Sequence, residues 1–144
     1  MSTTIHIWGN TCINSGFGTR GRGVFFFNGN TSWFDIRGNI AYQANGQPYL
    51  SPGSTVPPAK DPTKYSNNLW FGAGAPPAWD TNPVNADPLF VGAPNYRLQA
   101  GSPARMAGST LNYVTIDLDG TVRPTTVPWS IGAYESVPTV AGAR

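Results

Sequence analysis

The 144-residue chain has little charge and a single cysteine. Only 11% of its residues are charged and the formal net charge is +2, whereas nucleic-acid-binding domains usually carry a dense face of Lys and Arg. We therefore expect no nucleic-acid partner. Because Cys12 is alone, it cannot form an intrachain disulfide or take part in a cysteine metal cluster. The sequence thus excludes a disulfide framework.

Long apolar runs are also missing. The longest purely apolar run covers residues 24–27, far below the roughly 20 residues that a membrane-spanning helix needs. We expect no membrane partner. The first residues lack a basic stretch followed by an apolar one, so the sequence indicates no secretory signal and by itself leaves the localisation open.

Glycine, proline and aromatic residues, by contrast, are abundant. The chain has 17 Gly and 14 Pro, and aromatic residues make up 12% of it. Gly and Pro disfavour helices and favour turns, whereas aromatic side chains bury large apolar surfaces. This composition predicts a single all-β domain in which short strands alternate with turns, and it excludes a helical bundle.

A short motif recurs every 29 residues, as Gly9-Asn10, Gly38-Asn39 and Asn67-Asn68. Fixed periods of about 20–50 residues are typical of solenoids, whose stacked repeats share one core. Asn suits a bend between two strands because it tolerates left-handed backbone. Stacked Asn amides can also hydrogen-bond to one another. We therefore expect a structural ladder made by the last residue of each motif: Asn10, Asn39 and Asn68.

The strands that flank these motifs each have two faces, because residues i and i+2 of a strand point the same way. We expect the inward columns before the Asn to be Ile5, Phe34, Thr63 and Ile7, Ile36, Tyr65. After the Asn we expect them to be Thr11, Ile40, Leu69 and Ile13, Tyr42, Phe71. The outward columns are then His6, Asp35, Lys64 and Trp8, Arg37, Ser66.

Stacked in this way, the repeats predict a parallel β-helix of about three coils. Two further segments, 20–27 and 48–50, are expected to supply the third side of a coil. We expect a single domain over 1–144, with coils over 1–86, a loop-rich C-terminal cap over 87–136 and a tail over 137–144.

Five short motifs follow one another in the C-terminal part of the chain. They read D-P-L-F, Y-R-L, S-P-A, D-L-D-G-T-V-R-P and I-G-A-Y-E between residues 87 and 135. In this order they resemble the end of right-handed parallel β-helix proteins of the pectate-lyase-like superfamily. The chain departs from that pattern at Arg105-Met106, where the family often has Ile-Asp, and at Ser130, where it often has Asp.

The resemblance implies a right-handed β-helix, an association with polysaccharide and a secreted or cell-surface location. Enzymes of the superfamily usually have many more coils than three, so the chain resembles a truncated member. Their lyases take a proton with a basic residue beside a carboxylate, commonly with calcium held by several acids. One acid in the exposed column is too few for the six to eight oxygen ligands of calcium. We expect no metal and no cofactor.

The outward column of His6, Asp35 and Lys64 is the candidate catalytic group. Stacked strands lie about 4.8 Å apart, so an imidazole, a carboxylate and an ammonium group can come within reach for proton transfer. The alternative interpretation is a solvated charge pair that contributes only tenths of a kcal/mol.

Trp8 stacked on Arg37 is the candidate ligand-binding pair, because exposed aromatic rings offer a platform for a sugar; the alternative is a surface cation–π pair. Further along the chain, Asp119-Gly120 is typical of a hairpin turn. Asp117 and Asp119 begin like a calcium loop, but its later ligands are missing, so we expect these acids to fix a turn and to pair with Arg123.

We expect a non-catalytic β-helix module that is associated with polysaccharide or is structural. The first alternative is a polysaccharide lyase or glycoside hydrolase acting on an acidic or neutral glycan. The second is a self-assembly element. The first coil carries Ile5 and Ile7 with no polar cap in front of them, so we also expect a homo-oligomer that pairs through this N-terminal coil.

Overall fold

The computed structural model describes residues 4–15, 23–25, 27, 33–54 and 61–136. The expected tail at 137–144 and residues 20–22 and 26 of the expected strand at 20–27 lie outside these ranges. Within them the chain is all-β, as expected, with a short 3₁₀ helix at Pro62–Lys64 and no α-helix. The strands are β1 (Thr4–Trp8), β2 (Thr11–Ile13), β3 (Trp33–Arg37), β4 (Ile40–Tyr42), β5 (Tyr65–Ser66), β6 (Leu69–Phe71), β7 (Val84–Asn85), β8 (Phe90–Gly92) and β9 (Asn95–Leu98).

Two parallel sheets hold the repeats. Sheet A has the order β1-β3-β5 and sheet B the order β2-β4-β6-β7. Strands β1 to β6, which hold the three repeats, pair 29 residues apart, so that Ile7 lies opposite Ile36, and Ile36 opposite Tyr65. Strand β7 pairs with β6 at a different offset, with Val84 opposite Leu69. In sheet B, Ile40 lies between Thr11 and Leu69. The 29-residue spacing therefore predicted the register of β1 to β6 correctly.

Outside the two sheets, an isolated parallel bridge joins Phe25 and Leu50. Backbone bonds run from Phe25 N to Tyr49 O (3.0 Å) and from Ser51 N to Phe25 O (2.9 Å). The Ser51 hydroxyl also accepts a hydrogen bond from Gly23 N at 2.8 Å. These contacts confirm that segments 24–27 and 48–50 meet.

Side chains from both sheets and from this bridge pack into one core cluster. Its buried members are Phe25, Phe27, Ile36, Ala41, Tyr49, Tyr65 and Trp70. The expected inward column of Ile7, Ile36 and Tyr65 is part of this cluster or packs against it. The expectation for sheet B was wrong, because the positions that face this core are Ala41 and Trp70 rather than Ile40 and Leu69.

The bend between the sheets causes this reversal. Left-handed backbone occurs at Gly9, Gly38 and Asn67, with φ of 62°, 67° and 56°, and so at the residue before each ladder Asn rather than at the Asn itself. A left-handed residue breaks the simple alternation of a strand. Counting by twos across the bend therefore assigns the wrong face to β2, β4 and β6.

The C-terminal segment covers the other face of sheet B. Ile40 and Leu69 form a second buried cluster there with Ala104 and Ile131. Gly132 N donates a hydrogen bond of 2.7 Å to Gly38 O. The segment expected as a cap thus lies along the side of the repeats, where it buries apolar side chains that would otherwise face water.

Of the other expectations for this segment, the turn is confirmed and the pairing of Arg123 is corrected. The turn at Asp119-Gly120 is present, with a bridge between Ile116 and Val122 and φ of +80° at Gly120. Residues 131–135 form no strand. Arg123 does not pair with the turn acids; its guanidinium forms a buried salt bridge of 3.1 Å with Glu135.

The turn acids have other partners. Asp117 accepts hydrogen bonds from the backbone N–H groups of Asp119 (2.9 Å) and Thr121 (2.7 Å). Asp119 pairs with Arg97 through two hydrogen bonds of 2.8 and 2.6 Å. Both acids thus stabilise the turn region through partners that sequence spacing did not indicate.

The Asn ladder joins the two sheets. Asn10 Nδ2 donates to Asn39 Oδ1 at 3.0 Å, and Asn39 Nδ2 donates to Asn68 Oδ1 at 2.9 Å. Asn39 and Asn68 are each 1% exposed, so these bonds satisfy amides that are out of reach of water. Asn68 Nδ2 in turn donates to the buried carboxylate of Asp80 at 2.9 Å, a partner that the repeat did not reveal.

Candidate functional site

The five side chains selected from the outward columns lie together on one side of sheet A. The pairing of β1 with β3 sets His6 opposite Asp35, and Trp8 opposite Arg37. Lys64 differs from the expectation, because it ends the 3₁₀ helix before β5 and is not a strand residue. It nevertheless lines the same cavities as His6 and Asp35.

Asp35 is the centre of the site. Although it belongs to an outward column, it is only 2% exposed. Arg37 donates two hydrogen bonds to its carboxylate, from Nε at 2.6 Å and from Nη2 at 2.7 Å. His6 Nδ1 lies 3.4 Å from Asp35 Oδ2. A two-pronged bond of this kind fixes the orientation of both groups.

The surroundings of Asp35 also set its charge. Burial raises its pKa, but the hydrogen bonds from Arg37 and the positive charges of Arg37 and Lys64 outweigh burial, so the pKa of Asp35 lies below its ordinary value. The Trp8 indole Nε1 approaches the same carboxylate without reaching hydrogen-bonding geometry. Asp35 is therefore ionised at neutral pH.

Aromatic rings extend the site. Trp8 stacks nearly parallel on Tyr113, with ring centroids 6.1 Å apart and planes 10° apart. His6 contacts Trp8 with a centroid distance of 4.3 Å, and Arg37 Cζ lies 5.4 Å from the centroid of the Trp8 ring. Tyr113 is 84% exposed. Sequence reasoning missed Tyr113, because it is distant along the chain and lies in a loop without a motif.

Two adjoining cavities flank this cluster and share His6, Asp35 and Lys64 in their walls. The first, of about 270 Å³, also contains the aromatic pair of Trp8 and Tyr113. The second, of about 370 Å³, is lined in addition by Thr4, Trp33, Phe34, Asp61 and Tyr65. The shared wall makes them two parts of one groove, which we call the sheet A groove.

A second carboxyl group, Asp61, lies in the sheet A groove. Its side chain accepts hydrogen bonds from Thr63 Oγ1 (2.6 Å) and Thr63 N (3.0 Å). These bonds hold the pKa of Asp61 below its ordinary value, and the charge of Lys64 lowers it further. Lys64 itself forms no salt bridge within the part of the chain that the structure describes.

A third cavity, of about 380 Å³, lies apart from these two. Its walls include Tyr42, Phe90 and Tyr96. The rings contact one another, with centroid distances of 5.6 Å between Tyr42 and Phe90 and 5.5 Å between Phe90 and Tyr96. None of the residues selected from the sequence as catalytic or ligand-binding candidates lines it.

Among the described residues, no group of three or more His, Cys, Asp and Glu side chains is placed to hold a metal ion. Cys12 is free and half-buried, and burial raises the pKa of its thiol. Over the same ranges, the structure contains no helix that is both long enough and apolar enough to cross a membrane. The chain matches no protein-family model, and no curated protein matches it in sequence.

Proposed function

We propose that the protein is a right-handed parallel β-helix of the pectate-lyase-like type that binds polysaccharide without cleaving it. Two observations support this fold: the parallel strands β1 to β6 pair at a constant 29-residue offset, and the bridge at Phe25 and Leu50 contributes to the same core. The five C-terminal motifs support the family. A secreted or cell-surface location follows from that resemblance and is part of the proposal.

The aromatic pair in the sheet A groove carries the functional proposal. Trp8 and Tyr113 present parallel rings, and the apolar C–H faces of a sugar pack well on such flat surfaces. Arg37, His6 and Lys64 line the same cavity and supply hydrogen-bond donors for sugar hydroxyl or carboxylate groups. The cavity thus combines two aromatic rings with charged and polar side chains.

The carboxyl groups of the groove favour binding over cleavage. Glycoside hydrolases generally need one carboxylic acid that stays protonated and one ionised carboxylate. Here the pKa values of Asp35 and Asp61 are both below the ordinary range, so neither is held protonated. Asp35 is also buried in its pair with Arg37, which leaves it poorly placed to remove a proton from a substrate.

The test compares polysaccharide binding by the unmodified chain and by Tyr113→Ala, a change at an exposed residue that leaves the core intact. We expect affinity gel electrophoresis against a panel of acidic and neutral polysaccharides to show retardation, and Tyr113→Ala to weaken binding about tenfold. Tyr96→Ala, in the separate aromatic cavity, is the control and should bind normally.

Two results would contradict the proposal. Equal binding by all three proteins would show that the aromatic pair of Trp8 and Tyr113 is not part of the binding site. Release of reducing or unsaturated sugar ends, abolished by His6→Ala, would favour the lyase or hydrolase alternative instead.

Self-assembly remains the second candidate. Strands β1 and β2 are the outer strands of their sheets, and Ile5 on β1 is 41% exposed. A strand edge of this kind can pair with another chain. The homo-oligomer expected through this repeat stays a prediction, which light scattering on the unmodified chain and on Ile5→Asp would test.

A further inference from the structure

The Asn ladder has a direction. Asn10 donates to Asn39 Oδ1 from its backbone N and from Nδ2, both at 3.0 Å. Asn39 donates to Asn68 Oδ1 in the same way, at 3.0 and 2.9 Å. The amide oxygens of Asn39 and Asn68 thus each receive two N–H groups from the Asn of the repeat before, and no amide-to-amide bond runs in the opposite direction among the described residues.

The ladder is closed at one end. Asn68 Nδ2 donates to Asp80 Oδ2 at 2.9 Å, and Trp70 Nε1 donates to the same oxygen at 2.8 Å. Asp80 Oδ2 accepts both hydrogen bonds, so the series of amide-to-amide bonds ends at Asn68. Strand β7 covers β6 at this end.

The other end is open among the described residues. Asn10 Oδ1 accepts no hydrogen bond from them, and Asn10 is exposed. The outer edges of β1 and β2 lie on either side of it. In a parallel sheet, a strand of this kind has backbone N–H and C=O groups on its unpaired edge. This edge therefore offers one amide acceptor between two strands that can each accept a further partner.

We propose that the edge formed by β1, Asn10 and β2 binds a segment of another polypeptide that consists of two short strands joined by a Gly-Asn bend. The segment runs parallel to β1 and β2. Its Asn lies over Asn10 and donates backbone N–H and Nδ2 to Asn10 Oδ1, and its apolar residues cover Ile5 and Ile7.

The direction of the ladder selects this partner over a second copy of the chain. Two copies that meet edge to edge about a two-fold axis bring their strands together antiparallel and place one Asn10 Oδ1 against the other, acceptor against acceptor. Head-to-tail contact instead brings Asn10 to the end that Asp80 closes. Neither arrangement supplies the two donors that every other ladder oxygen receives.

The probe is a labelled synthetic peptide with the sequence of residues 33–42, which includes β3, Asn39 and β4. Within the protein, this segment presents to β5 and β6 the edge that the peptide would present to β1 and β2. We expect fluorescence anisotropy to show saturable binding to the full chain. We also expect hydrogen exchange to slow at the amides of β1 and β2 and to stay unchanged in β8 and β9.

The matched control is the same peptide with Asn39→Asp. It keeps the backbone N–H but replaces the Nδ2 donor with an acceptor that faces Asn10 Oδ1, so we expect binding at least about tenfold weaker. Because this change is made in the peptide, the fold of the protein is unaffected.

Equal affinity of the two peptides would overturn the proposal, as would no binding of either. A two-fold dimer that protects β1 and β2 from hydrogen exchange in the absence of peptide would also overturn it. None of these results depends on polysaccharide, so the outcome is independent of the proposed function.

Discussion

The Asp35 carboxylate is held by Arg37, two residues along the same strand, through hydrogen bonds of 2.6 and 2.7 Å. Side chains at i and i+2 share a face of a strand, which allows the two to meet without distorting the backbone. Asp35 is 2% exposed and the Arg37 side chain 18%. The pair therefore joins a buried charge to one at the protein surface.

Removing Arg37 should cost more than removing the pair. Arg37→Ala leaves the buried Asp35 charge without its main partner, and we expect the free energy of unfolding to fall by about 2–3 kcal/mol. The double variant Asp35→Asn, Arg37→Ala removes the charge as well and should recover part of this loss. Chemical denaturation of the three proteins at neutral pH measures the effect; an equal loss in the single and double variants would show that the pair has no such role.

The stability contributed by Asp35 should depend on pH on the acid side. Its folded-state pKa lies below the ordinary value, so the contribution is fully present above the unfolded-state pKa of about 3.9 and is lost as the pH falls through the lower, folded-state value. Urea denaturation at a series of pH values below about 5 measures this loss. Asp35→Asn should reduce the slope; an unchanged slope would mean that Asp35 is not a source of it.

The middle Asn of the ladder should matter more than the first. Asn39→Ala removes the acceptor for Asn10 and leaves Asn68 Oδ1 and Ile7 O without the Nδ2 donor. We expect a loss of about 2–4 kcal/mol in the free energy of unfolding, because these groups are buried or partly buried. Asn10→Ala, at an exposed position, should cost less than half as much. Thermal unfolding followed by circular dichroism compares the two, and equal losses would contradict the burial argument.

Gly132 should not tolerate a larger side chain. Its φ is +97°, and an added Cβ would lie 2.7 Å from Ile40 Cδ1 and from Thr11 Oγ1. Gly120 also has a positive φ, +80°, but a Cβ there would meet nothing within 4 Å. We expect Gly120→Ala to lower the free energy of unfolding by about 1–2 kcal/mol and Gly132→Ala by about 1–3 kcal/mol more.

Comparing the denaturant midpoints of these two glycine variants separates two effects. Gly120→Ala reports the backbone strain alone, whereas Gly132→Ala reports the strain together with the steric clash of the added Cβ. If Gly132→Ala cost no more than Gly120→Ala, the close approach of the C-terminal segment to sheet B would not be rigid.

The repeat in the sequence was enough to predict how the strands pair. The 29-residue interval placed Ile36 opposite Ile7 and Tyr65, because parallel strands one repeat apart keep the same offset along their whole length. For the same reason it brought Trp8 to Arg37, and His6 to Asp35. The ladder could also be anticipated, since identical amides recur at the same place in each repeat.

Which side chains of the second strand in each repeat face the main core depended on the tertiary structure. The left-handed residue before each Asn reverses the alternation, and the sequence does not reveal which residue of a Gly-Asn or Asn-Asn pair adopts that backbone. As a result, Trp70 faces the main core, whereas Leu69 faces the C-terminal segment.

The residue pattern alone therefore predicts the all-β class, the register of the repeated strands and the side-chain pairs that this register brings together. The three-dimensional packing decided the rest. Tyr113 meets Trp8, Asp80 ends the ladder, and Ala104 and Ile131 of the C-terminal segment pack on sheet B. These contacts join segments that share no repeat. Their formation depends on how loops pack over exposed apolar surface, and residue spacing in the sequence does not predict that packing.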